Sequence, residues 1–124
     1  MTILLVGAGG FIGSATRYLV GAWVRSVSGT SWIPYGTLTV NVVGCFLIGL
    51  IAGLAESRQF LGAGTRAFIV VGLLGGFTTF SAFGYETIVM VREGHMVAAA
   101  ANVGLQIVLG LTAVWIGFGV SQQY

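Results

Sequence analysis

The stretch Gly72-Leu73-Leu74-Gly75-Gly76-Phe77-Thr78-Thr79-Phe80-Ser81-Ala82-Phe83-Gly84-Tyr85-Glu86 decides the fold. It sits inside an apolar run bounded by Arg66 and Arg92, yet it carries a glycine pair, two threonines and a serine. Gly75-Gly76 favours unwinding of a helix near the middle of a membrane span. Irregular backbone at that depth is tolerated only where protein or water satisfies its polar groups. Half-helix ends at such a break present free amides or carbonyls to ions. A flexible kink is the plain alternative; the hydroxyls beside the glycine pair favour an ion-related break.

Composition sets the surroundings of this stretch. The chain has 124 residues, 56% of them hydrophobic and 6% charged, with 21 glycines and a mean hydropathy of +1.00. A soluble domain carries about 25% charged residues, so a water-soluble enzyme of this size is excluded. Intrinsic disorder requires low hydrophobicity and high charge, the opposite of what is present. Five arginines, no lysine and a formal charge of +2 form no nucleic-acid patch. The single cysteine, Cys45, cannot form an internal disulfide.

A helix needs about 20 residues to cross roughly 30 Å of hydrocarbon. Cutting at charges and turn residues predicts spans over 3–24, 34–55, 67–91 and 96–120, an all-α, four-span membrane domain covering 1–124. The first span closes on Arg25 and the polar stretch 26–31; the second is stopped by Glu56, Ser57, Arg58 and Gln59. Pro34 suits a helix start, where the first amides have no intrahelical partner. Trp23, Trp32 and Tyr35 flank the first loop, and amphipathic rings favour the headgroup region. No basic region precedes the first apolar run, so it is expected as an uncleaved span.

Four crossings put Arg58 and Arg66 on one side and Arg25 and Arg92 on the other, with Glu56 and Glu93 also split. Orientation follows an arginine and lysine excess, and this chain has none. The balance permits insertion in both directions, or reflects short loops with few charges.

Intramembrane polar groups are costly enough to be functional candidates. Arg17, late in the first span, is read as a snorkelling or clamping arginine ahead of an ion-steering one. Thr37, Asn41, Gly44 and Ile48 share one face of the second span. Asn41 can glue helices or donate to a passing anion, and spacing favours the glue. Phe80 and Phe83 share a face of the third; they are packing residues, or their positive ring edges line an anion path. Glu86, near the end of that span, is interfacial, arginine-paired or vestibular. Asn102, Gln106 and Gly110 lie on one face of the fourth. Gly9/Gly13 and Gly49/Gly53 allow close helix approach. No nucleophile–base or nucleotide motif is visible, so no enzyme is expected, and His95 is expected as a solvated loop residue.

Three segments resemble the Fluc (CrcB) family of small fluoride channels: Gly9-Gly10-Phe-Ile-Gly13-Ser-Ala-Thr-Arg17-Tyr18, Gly36-Thr37-Leu-Thr-Val40-Asn41-Val-Val-Gly44 and Gly75-Gly76-Phe77-Thr78-Thr79-Phe80-Ser81. The match runs through the whole chain in length, order and span count. The resemblance implies a homodimer of oppositely oriented subunits in the bacterial cytoplasmic membrane, with paired fluoride pores. It implies that Phe80 and Phe83 contact fluoride, that Asn41 and Thr37 supply donors, and that Thr79 and Ser81 add hydroxyls. Carbonyls of Gly75 and Thr78 from both subunits would hold one Na⁺ at the dimer interface. Arg17 would be structural or vestibular, and Glu86 would lie beside the pore. The family's fourth-span track of tyrosine and serines is replaced here by Asn102, Gln106 and Gly110, so amides and a gap stand where hydroxyls are usual.

The expected function is passive export of cytoplasmic F⁻. Fluoride, the lipid bilayer and a second copy are the expected partners, and nucleic acid is not. A small multidrug-type proton/cation antiporter is the rival; it needs a central carboxylate in the first span, and this span has no acid. A non-transporting assembly protein packed through its glycines is the third possibility.

Overall fold

The computed structural model describes residues 1–29, 31–58 and 61–124. Thr30, within the polar stretch after the first span, and Gln59, within the stop after the second, lie outside the described residues. Among the described residues the regular elements are all helical: α1 (Thr2–Ser28), α2 (Tyr35–Arg58), α3 (Ala63–Arg66), a π-helical stretch (Ala67–Leu74), α4 (Gly75–Phe77), α5 (Phe80–Arg92) and α6 (Met96–Ser121). Four runs among the described residues are long and apolar enough to cross a membrane: Thr2–Ser28, Tyr35–Arg58, Ala63–Arg92 and Met96–Ser121. The protein is a multi-pass membrane protein; the first three helical runs extend three or four residues beyond the expected bounds at one end, and the fourth lies within one residue of them. Pro34 immediately precedes α2, and its carbonyl accepts from Leu38 N at 3.0 Å.

The chief contacts are α2 against α6 and α1 against the π-helical stretch. Both are backbone-to-backbone contacts made by glycine. Gly9 and Gly13 of α1 lie against the carbonyls of Phe68 and Leu73, while Gly49 and Gly117 lie against those of Val114 and Phe46. A Cβ on Gly72 would stand 2.7 Å from Val6 O, and one on Gly76 would stand 2.7 Å from Gly10 O. The side without a side chain is what lets the helices approach, because in lipid they associate by van der Waals packing without a hydrophobic drive.

The break in the third span falls at Thr78-Thr79, three residues later than the glycine pair suggested. Gly75 is helical (φ −61°, ψ −38°), whereas Thr78 (φ −85°, ψ 159°) and Thr79 (φ −151°, ψ 112°) are extended. The glycine pair is needed for a different purpose, since Gly76 packs on the α1 backbone at Gly10. Two consecutive β-branched residues favour extended backbone, and Thr79 then caps α5, its hydroxyl accepting from Ala82 N at 3.2 Å. His95 is also not simply solvated. It stacks on Trp32 with ring centroids 3.6 Å apart and an interplanar angle of 29°, joining the first loop to the third.

Gly13→Ala and Gly117→Ala each place a methyl against a carbonyl that cannot rotate away. Each is expected to lower stability by about 1–3 kcal/mol, the usual cost of overpacking, read as a lower melting temperature in detergent. Gly119, with open space where its Cβ would stand, should tolerate Ala without loss.

Candidate functional site

The break would leave backbone polar groups unpaired in hydrocarbon, and Asn41 of α2 resolves this. Its Oδ1 accepts from Thr79 N at 2.8 Å, and its Nδ2 donates to Thr79 O at 3.0 Å. One side-chain amide thus pairs both backbone groups of a single extended residue, as a neighbouring strand would. The second Nδ2 hydrogen goes to Gln106 Oε1 of α6 at 3.2 Å. Asn41 is therefore the glue between α2, the break and α6, with both donors engaged.

This pairing has a consequence for two carbonyls. In a continuous helix Thr79 N would close onto Gly75 O and Ala82 N onto Thr78 O. Here Thr79 N goes to Asn41 and Ala82 N to the Thr79 hydroxyl. Gly75 and Thr78 are the residues whose carbonyls the family resemblance implies for a cation, and they are the ones whose helical partners are diverted. On the other side of the break, the N-terminus of α5 carries the free amides and partial positive charge that favour an anion. Thr78 itself bonds back, its hydroxyl donating to Leu74 O at 3.1 Å.

A cavity of about 400 Å³ opens at the break, lined among others by Asn41, Gly75, Thr78, Phe80, Phe83 and Gln106. The rings of Phe80 and Phe83 are 5.5 Å apart and tilted by 57°. Gln106 Nε2 is buried with no partner. Asn41 holds the other end of that amide, and Gln106 lines the same cavity as the aromatic pair. Ser81 is exposed, its hydroxyl 3.4 Å from that of Thr79.

Thr37, Glu86 and Arg17 gather in a second space of about 190 Å³ between α1, α2 and α5, which Thr79 also lines. Thr37 donates to Glu86 Oε1 at 2.7 Å, and Glu86 Oε2 has no partner. Arg25 borders this space and a larger one of about 690 Å³ at the same end, where Glu86, Trp32, Tyr35 and Tyr85 also stand. Asn102 is completely buried and donates to Thr87 Oγ1 at 2.9 Å, while its Oδ1 has no partner. Thus Asn41, Gly75, Thr78, Phe80, Phe83 and Gln106 meet at one cavity. Arg17, Thr37, Thr79 and Glu86 meet at the other, and Ser81 and Asn102 stand outside both linings. Sequence reasoning missed Thr87, and it placed Arg25 only as a loop charge; the aromatic residues around Arg25 were the available signal.

Comparison with known proteins bears on this arrangement. A family model described as "CrcB-like protein, Camphor Resistance (CrcB)" matches residues 4–118. The chain is similar to the "Fluoride-specific ion channel FluC" of Methylobacillus flagellatus, 47% identical over 94% of this chain and 91% of that protein. It is 44% identical to the protein of the same name from Chlorobium chlorochromatii, over 93% of this chain and 88% of the other. The one from Acidobacterium capsulatum is 41% identical over 99% and 98%. Matched by one family model over residues 4–118 and similar to these relatives over nearly its whole length, the chain belongs to the CrcB family.

Proposed function

We propose that this protein is a passive fluoride channel that lets cytoplasmic F⁻ leave a bacterial cell through its inner membrane, with no enzymatic step. The observation that carries the reading is the Thr78-Thr79 break, which starts α5 afresh at Phe80 beside a cavity lined by Phe80, Phe83 and Gln106. The names of the relatives, all fluoride-specific channels, support the same ion. An anion in this cavity meets neutral donors and positive ring edges, and a narrow route that replaces its hydration shell with such contacts selects by coordination. Thr79 and Ser81 add hydroxyls at the start of α5. Asn41 and Thr37 have their donors on Thr79, Gln106 and Glu86, so each meets an anion by exchanging one of those partners. Glu86 and Arg17 stand together at the second space, Arg17 as a structural or vestibular cation, while Asn102 is buried outside both spaces.

The working unit in this proposal is an antiparallel homodimer, for which the even division of arginines leaves no orientation bias. A two-fold axis in the membrane plane makes such an interface isologous. One Na⁺ on that axis, held by Gly75 and Thr78 carbonyls of both copies, belongs to the same reading. The diverted helical partners of those carbonyls fit a cation. When bound, the ion would supply fixed positive charge and tie the copies together. The antiporter reading is not favoured, because α1 carries no acidic residue.

Purified protein in liposomes is expected to release fluoride and retain chloride, measured with ion-selective electrodes; equal release of both anions overturns the reading. Phe80→Ile and Phe83→Ile keep volume but remove the ring edge, and each should cut fluoride flux by roughly tenfold or more, the scale of one lost contact of about 1.4 kcal/mol. Asn41→Asp sets a carboxylate against Thr79 O and should abolish flux and lower the melting temperature. Exchanging Na⁺ for a bulky organic cation should lower the melting temperature of the dimer without unfolding the helices, read by circular dichroism.

A further inference from the structure

Thr87 of α5 lines neither cavity, yet it is the point where α5 is bonded to α6. Its hydroxyl donates to Phe83 O at 2.7 Å, one turn back. With its hydrogen committed there, the oxygen is left to accept, and Asn102 Nδ2 fills that role at 2.9 Å. Asn102 is completely buried, so the pairing is shielded from competition. Glu86, the preceding residue, is held from another helix, accepting from Thr37 of α2. Consecutive residues of a helix point about 100° apart. Two such neighbours bonded to two different helices fix the rotation of α5 about its own axis, which neither bond would fix alone.

That rotation matters because of what else shares the Thr87 face. Phe83 lies four residues before Thr87 and Phe80 seven, one and two turns along the same stripe. Both rings line the cavity. The α6 stripe opposite them is Asn102 and, one turn on, Gln106, whose free donor is buried. A rotation of α5 would carry the rings away from that donor. We infer that Thr87 is a positioning residue: latched by Asn102, it holds the α5 rotation that keeps Phe80 and Phe83 facing Gln106. Asn102 then acts on the ion through Thr87, not as a donor to it. This rests on the channel reading for its functional meaning, but the latch is measurable without it.

The test places 4-fluorophenylalanine at position 83 and reads both its ¹⁹F chemical shift and fluoride efflux from liposomes. Thr87→Val, which keeps the shape and removes the hydroxyl, should move the resonance and lower flux by roughly tenfold, the scale of a misplaced group in a preorganised site. Thr87→Ser should restore both to near the parent values. Adding Thr87→Val to Phe83→Ile should lower flux little further, because coupled residues are not additive. An unmoved resonance, a moved resonance with parental flux, or no rescue by serine overturns the inference. Should Thr87→Val fail to elute as the parent does, Asn102→Leu, close in shape but without a donor, is judged by the same shift and flux. A parent protein that carries no fluoride overturns the channel reading, while the ¹⁹F shift still decides the latch.

Discussion

A single amide holds the membrane interior of this protein in order. Thr79 is an extended residue in a medium with no water to pair its backbone, and an unpaired peptide group there costs several kcal/mol. Asn41 supplies both missing partners at 2.8 and 3.0 Å. Without it both backbone groups of Thr79 would stand unpaired in hydrocarbon, and the break that leaves Gly75 O and Thr78 O without their helical partners and gives α5 its own amide end would lose its support. The cavity, the orientation of Gln106 and the separation of the half-helices all depend on that side chain standing one helix away from the break.

Charge is nearly absent from this arrangement, and the physics explains why it can be. One interruption in a helix creates a carbonyl end and an amide end, so the backbone provides partial charges of both signs within a few residues. Fixed ionised groups would hold an ion too firmly or select by sign alone. Three charged residues, Arg17, Arg25 and Glu86, instead stand around adjoining spaces at one end of α1, α2 and α5. The middle is left to amides, hydroxyls and rings.

Much of this was legible beforehand, because membranes impose simple constraints. Helix number followed from length, charge and apolar runs; the glycine pairs at Gly9/Gly13 and Gly49/Gly53 are buried helix contacts; Asn41 is the interhelical glue that its spacing favoured. The break was misplaced for a specific reason. Gly75-Gly76 carries the local signal for unwinding, but Gly76 is needed against Gly10, a contact between residues 66 positions apart that no local pattern reveals. Thr87 was invisible for a related reason: threonine bonding back to its own helix is commonplace, and only the partner on α6 makes it matter. The Trp32–His95 stack likewise joins loops that are remote in sequence.

The π-helical stretch Ala67–Leu74 adds a constraint of another kind. Its π-type pairing reaches five residues back, as from Gly75 N to Val70 O, so it winds more slowly than an α-helix and sets the angle at which Thr79 arrives beside Asn41. One residue gained or lost there would turn everything downstream by about 100°, carrying Thr79 past its partner on α2. The spacing from Arg66 to Thr79 is therefore a phase as well as a length. Side chains along it are free to drift so long as they stay apolar and the glycine contacts survive, but the count of residues is not, and lineages of this protein should vary in composition there long before they vary in length.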